Sequence, residues 1–197
     1  MLYVILILIS SVVLWRLIRF LTTPILKKIG IYQYHSPMFF TVALSENLYE
    51  IHLGTSWDFF RTQNINPRLQ IIYLAQGLLN LCNKIEKGKI SPKAIFKGNI
   101  FYLKQSSINK FGFNIRNLNF FESLLCFLNI VEASILLSIS YRRFSIININ
   151  NFKVIYFTAF ELLSNKKEIE KFLSRLTHNS SFNEQKSIYE FKNYDVA

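Results

Sequence analysis

The chain predicts an α+β protein, with an N-terminal single transmembrane helix followed by one mixed α/β cytoplasmic domain. Three observations carry that expectation. Leu2 to Trp15 form fourteen consecutive uncharged residues, and the apolar character runs on to Leu26 past only Arg16 and Arg19. Downstream, stretches with an apolar period of two alternate with stretches of period 3.6, the marks of half-buried strands and amphipathic helices. At 51% apolar and 16% aromatic residues, the 197-residue chain has material for one real core and is not compositionally disordered.

The opening helix, residues 1–26, is read as a membrane anchor. A crossing takes about 20 apolar residues. The run reaches that length if Arg16 and Arg19 lay their stems along the acyl chains and lift their guanidinium groups to the headgroups. Tyr3 and Trp15 suit the two interfaces. Thr22-Thr23-Pro24 is a poor signal-peptide cleavage site; a buried core helix is the other alternative. Basic residues (Arg16, Arg19, Lys27 and Lys28) follow the run, and none precedes it. The positive-inside rule then puts the N-terminus outside and the rest in the cytoplasm, at the cell (inner) membrane. Trp15, Arg16, Arg19, Lys27 and Lys28 are the expected interface residues.

Residues 27–48 read as a juxtamembrane segment punctuated by Gly30 and Pro37; Tyr32, Tyr34, Phe39 and Phe40 suit either an aromatic collar at headgroup level, with His35 within it, or packing on the domain. The domain proper is expected over 49–178. Tyr49, Ile51 and Leu53 alternate with Glu50 and His52 as on a strand. Thr55 with Asp58 resembles a capping box with the shorter acid, so a tight turn leads into a short helix or continued extended chain. Asn66 as N-cap, Pro67 at the first helical position and Gly88 past the end bracket a long apolar helix. Gly98-Asn99 reads as a hairpin turn between arms 94–96 and 100–103. Ser106 or Ser107 reads as the cap of one helical turn to Phe111, closed by Gly112.

Asn119 with Glu122 opens the next helix, and 14 of residues 120–139 are apolar. A second membrane span is the competing reading. Glu122, Asn129 and Glu132 share a polar stripe, and a crossing would place Arg142 and Arg143 outside, so a central core helix is expected. Strands follow over 144–149 and 152–160, with Asn150-Asn151 at the turn. Ser164 or Asn165 caps a last amphipathic helix that buries Ile169, Phe172, Leu173 and Leu176. Residues 179–197 read as a weakly ordered tail.

The net charge of +11 is uneven: residues 49–112 hold nine Lys/Arg against three acids, whereas 144–197 are nearly neutral. Lys84, Lys87, Lys89, Lys93, Lys97, Lys104 and Lys110 form a basic series facing only Glu86. Beside an anchor, such a series fits anionic lipid; an acidic protein is a further candidate partner, and nucleic acid would be the partner of a soluble protein of this charge. The enrichment in Ile, Asn, Lys and Phe is that of an AT-rich coding sequence. Cys82 and Cys126 make no CxxC pair or metal spacing and read as reduced, buried hydrophobes. There is no P-loop, GxGxxG, HExxH or GxSxG, and no metal or cofactor is implied. One polar constellation stands out as a weak catalytic candidate: Glu50, His52, Ser56 and Asp58. A carboxylate and an imidazole on one strand face can orient each other, and an adjacent hydroxyl is a potential nucleophile. The leading expectation is a binding or scaffolding protein at the membrane surface. The alternatives are a membrane-tethered hydrolase or transferase using Glu50, His52 and Ser56, and a nucleic-acid or acidic-partner binder whose opening helix is buried.

Overall fold

The computed structural model describes residues 2–62, 65–100, 108, 111–148, 150 and 152–178. Helix α1 (Leu2–Lys28) ends in a basic turn, after which Gly30 takes positive φ and Tyr32 N–H returns to the Leu26 carbonyl. Strands β1 (Gln33–Tyr34), β2 (Phe39–Ser45) and β3 (Leu48–Leu53) form an antiparallel meander. The sheet thus begins inside the segment expected to be juxtamembrane. Met38, Phe39 and Phe40 are buried in the domain and form no headgroup collar.

Helix α2 (Ser56–Arg61) starts on the Thr55–Asp58 capping box, and α3 (Pro67–Glu86) on the Asn66 cap with Pro67 behind it. They carry the chain over to β4 (Ile95–Ile100), which pairs parallel to β3. No hairpin turns at Gly98-Asn99: β4 runs straight through both residues. Glycine stands at 98 because a Cβ there would meet Ile51 Cγ1 at 2.5 Å and the Ile51 carbonyl oxygen at 2.7 Å. Close strand approach explains this glycine, where a turn was expected. The remaining expected arm, the Ser106/Ser107 cap and the 179–197 tail lie outside the described residues.

Strand β5 (Asn114–Arg116) and β6 (Lys153–Thr158) complete a six-stranded sheet of order β1-β2-β3-β4-β6-β5. Residues 144–148 form no strand. The Ser145 and Ile147 N–H groups instead donate to the hydroxyls of Ser138 and Ser134, at 2.9 and 3.1 Å, on helix α4 (Phe120–Tyr141). The expected last helix is α6 (Lys166–His178), and before it a short helix α5 (Ala159–Ser164) begins where the strand was expected to run on to residue 160, with Asn165 capping its end.

Alternation along the strands gives the sheet two unlike faces. Phe39, Ile51, Phe96, Ile155 and Phe157 point to the main core, against Leu74, Leu78, Leu81 and Cys82 of α3, Leu162 of α5 and Ile169 of α6. Phe96 and Phe113 both stack on Phe157, at 5.2 and 4.6 Å between centroids. The opposite face carries Phe40, Glu50, His52 and Asn99 and is covered by α4 and part of α1.

That placement corrects the expectation for α4. It is no central core helix: Cys126 packs inward on Ile147 and Phe152, but Phe120, Phe121, Phe127, Leu128, Val131 and Ile135 are exposed. Among the described residues, α4 is also the one helix long and apolar enough to cross a membrane. Helix α1 is split. Every residue of its first half whose side chain is described, from Tyr3 to Trp15, is exposed, and contact with the domain begins at Arg16.

Candidate functional site

A cavity of about 350 Å³ lies between the polar face of the sheet and α4. Strand β3 supplies its floor. Glu50 and His52, two apart, project on the same side, with His52 Nε2 at 3.5 Å from Glu50 Oε2. The His52 contact holds the Glu50 carboxyl below the usual carboxylate range, against the opposing effect of burial, with the charges of Lys97 and Arg19 adding to it. The imidazole stacks on Phe40 at 5.0 Å, which fixes its plane.

Ser56 reaches the same cavity because the capping box places it in the first turn of α2. Its hydroxyl donates to the Glu132 carboxylate on α4. The same carboxylate meets the Arg16 guanidinium, which also donates to Asn129 Oδ1 at 2.7 Å and to the Leu128 carbonyl at 2.8 Å. Three elements from distant parts of the chain, α1, α2 and α4, are therefore tied at one polar knot. Leu125, Leu136, Leu137 and Phe152 make the remaining wall apolar.

Asp58 does not belong to this site. Its carboxylate accepts from Thr55 N and Thr55 Oγ1, both at 2.8 Å, and from the Tyr34 hydroxyl at 2.6 Å. Burial and then the Asp58 charge push the Tyr34 phenol well above its ordinary range. Asp58 is a capping and packing residue, and Tyr34 a neutral donor to it.

His52 and Ser56 share the cavity, yet the Ser56 proton is committed to Glu132 and not to the imidazole. A nucleophile needs its base within hydrogen-bond reach, and that contact is not formed here. The arrangement instead offers a polar floor and an apolar wall, which suits an amphipathic ligand. Among the described residues, no group of three His, Cys, Asp or Glu side chains is placed to hold a metal ion. Of the lysine series, Lys97 lies near Glu50, Lys84 near the buried His35, and Lys87, Lys89 and Lys93 are exposed. Lys104 and Lys110 lie outside the described residues.

Sequence reasoning read Arg16 as a membrane-interface residue and did not bring it together with Asn129 and Glu132, as the structure does. The signal available was the polar stripe on α4. It argued against a crossing, and the structure turns it toward the sheet and α1. The chain matches no known family model, no characterised protein and no solved structure.

Proposed function

We propose that this is a membrane-anchored protein whose cytoplasmic domain has a binding or scaffolding role at the membrane surface, with the cavity beneath α4 as its ligand site. The observation that carries the reading is the exposure of every described side chain from Tyr3 to Trp15 in the first half of α1, an uncharged apolar stretch. In water that surface is costly, at about 25 cal/mol per Å² of apolar area; in lipid it is favourable. Leu2 to Trp15 span about 21 Å at 1.5 Å per residue. Arg16 ends the run and is held by Glu132 and Asn129 of α4, and Arg19 lines the cavity, so neither guanidinium is raised to the headgroups and the uncharged span closes at Trp15. The cations after the run orient the domain to the cytoplasmic side.

A second reading, a membrane-tethered hydrolase or transferase, draws on the shared cavity of Glu50, His52 and Ser56. It requires Ser56 to leave Glu132 and turn to His52. A nucleic-acid or acidic-partner role draws its support from net charge alone, and its buried opening helix is not what α1 presents.

Fractionation with protease accessibility in intact and opened cells tests the leading reading. Full protection of the domain in intact cells and digestion after opening are expected; digestion in intact cells would refute the orientation. A serine-reactive fluorophosphonate separates binding from hydrolysis. No labelling at Ser56 is expected, and labelling abolished by His52→Ala would favour the enzyme.

A further inference from the structure

We propose that α4 lies flat in the bilayer surface as a second membrane contact, its outer face in lipid and its inner face on the sheet. This rests on the membrane reading above and adds a surface and its partner: anionic phospholipid.

The inner side of α4 is tied to the domain along its whole length. Glu122 pairs with Arg116 at 2.6 Å near the first turn, and Asn99 Nδ2 approaches Cys126 Sγ at 3.5 Å one turn on. Ser56 holds Glu132, and Gln70 donates to Ser140 at 2.6 Å in the last turn. A helix so attached cannot cross a bilayer without pulling a sheet with charged strands into hydrocarbon, where irregular backbone and unpaired charge are not tolerated. Lying in the interface has no such penalty. An amphipathic helix there sinks its apolar face about 5–10 Å into the headgroup boundary.

The charges select lipid as the occupant. Both acids of α4, Glu122 and Glu132, are turned toward arginines on the domain side, so the outer face carries none. Its C-terminal end runs into exposed Arg142 and Arg143, followed by Phe144 at 85% exposure. Beside α1, Phe20 packs on Trp57 at 5.0 Å, Trp57 carries Arg61 over its ring, and Phe60 is exposed. Among the described residues, this apolar, aromatic surface has a basic rim and no acids, which complements an anionic leaflet.

Phe121, Leu128 and Ile135 repeat every seven residues along the outer face, at 73%, 54% and 53% exposure, so each accepts tryptophan without disturbing the core. The full chain is reconstituted in vesicles of phosphatidylcholine and phosphatidylglycerol whose lipids are brominated near the headgroup or near the chain end. Phe121→Trp, Leu128→Trp and Ile135→Trp are each made with Trp15 and Trp57 replaced by Phe. All three are expected to be quenched chiefly by the shallow bromines and to equal extents within about twofold, because the three sites share one depth. A crossing would spread them over about 21 Å of depth, and a steep gradient along the series would overturn the proposal. Absence of quenching at all three, with protection that grows with protein concentration, would identify a second copy as the occupant and also overturn it. Trp15 in a Trp57→Phe chain reports separately on the anchor: Trp15 unquenched while α4 is quenched defeats the anchor and not the surface contact.

Discussion

The guanidinium of Arg16 and the carboxylate of Glu132 form an ion pair that joins the end of the exposed half of α1 to the inner face of α4. Each side chain is about three-quarters shielded, so the pair sits between the exposed and fully buried regimes. Arg16→Gln and Glu132→Gln are each expected to lower stability by about 1–3 kcal/mol, because either leaves a shielded charge without its partner. The double variant should lose less than the sum of the two by at least about 1 kcal/mol. Thermal unfolding in detergent micelles, read by tryptophan fluorescence, measures both; strict additivity would show that the contact carries no coupling.

Gly98 tests the register of the parallel β3–β4 pair. A methyl at this position meets Ile51 side chain and backbone together. Gly98→Ala is therefore expected to destabilise by about 1–3 kcal/mol, as overpacking does when the neighbour cannot yield. A neutral result would mean that β4 is not held against Ile51.

The same residue shows where sequence reasoning stopped. The capped ends of α2, α3 and α4 were legible, since a cap involves residues only three apart: Thr55 with Asp58, Asn66 with Leu69, Asn119 with Glu122. Gly98-Asn99 carries the local signature of a turn, but its neighbour Ile51 is far away in the chain. Phe144 to Ile149 has strand-like residues, yet the N–H groups of Ser145 and Ile147 bond to serines of α4. The strand face of Glu50 and His52 was legible from alternation. Glu132, which takes the Ser56 hydroxyl, was not, because nothing local says which side of an apolar helix meets the sheet.

His35 makes stability depend on pH. It is 2% exposed, with Nε2 at 2.8 Å from Thr41 Oγ1, and burial together with the Lys84 charge pushes its pKa down from 6.5 to about 3. The folded state therefore excludes a proton that the unfolded chain binds. Its contribution is complete above pH 6.5 and is lost as the pH falls toward 3. Between those limits the native protein is expected to lose up to about 1.4 kcal/mol per pH unit from this residue. Denaturant midpoints across that range should show a steeper slope for the unsubstituted protein than for His35→Gln, which retains a partner for Thr41. Equal slopes would mean that His35 charges in the folded state.

Cysteine labelling checks the packing on both sides of the sheet. Cys82 is fully buried under α5, with its thiol pushed up to about 12 chiefly by burial, and Cys126 is 3% exposed on the inner face of α4. In the folded protein both should react with a maleimide at least about a thousandfold more slowly than after denaturation, since thiolate and access are both withheld. Rapid labelling of Cys126 alone would show that α4 lifts from the sheet.

Flotation of the full chain through a density gradient after an alkaline carbonate wash bears most directly on the account. With the first half of α1 in the hydrocarbon, the protein is expected to rise with the lipid in full, as a salt-insensitive fraction. Quantitative release into the soluble layer would contradict it, because surface attraction by Arg142, Arg143 and the other cations does not survive that wash.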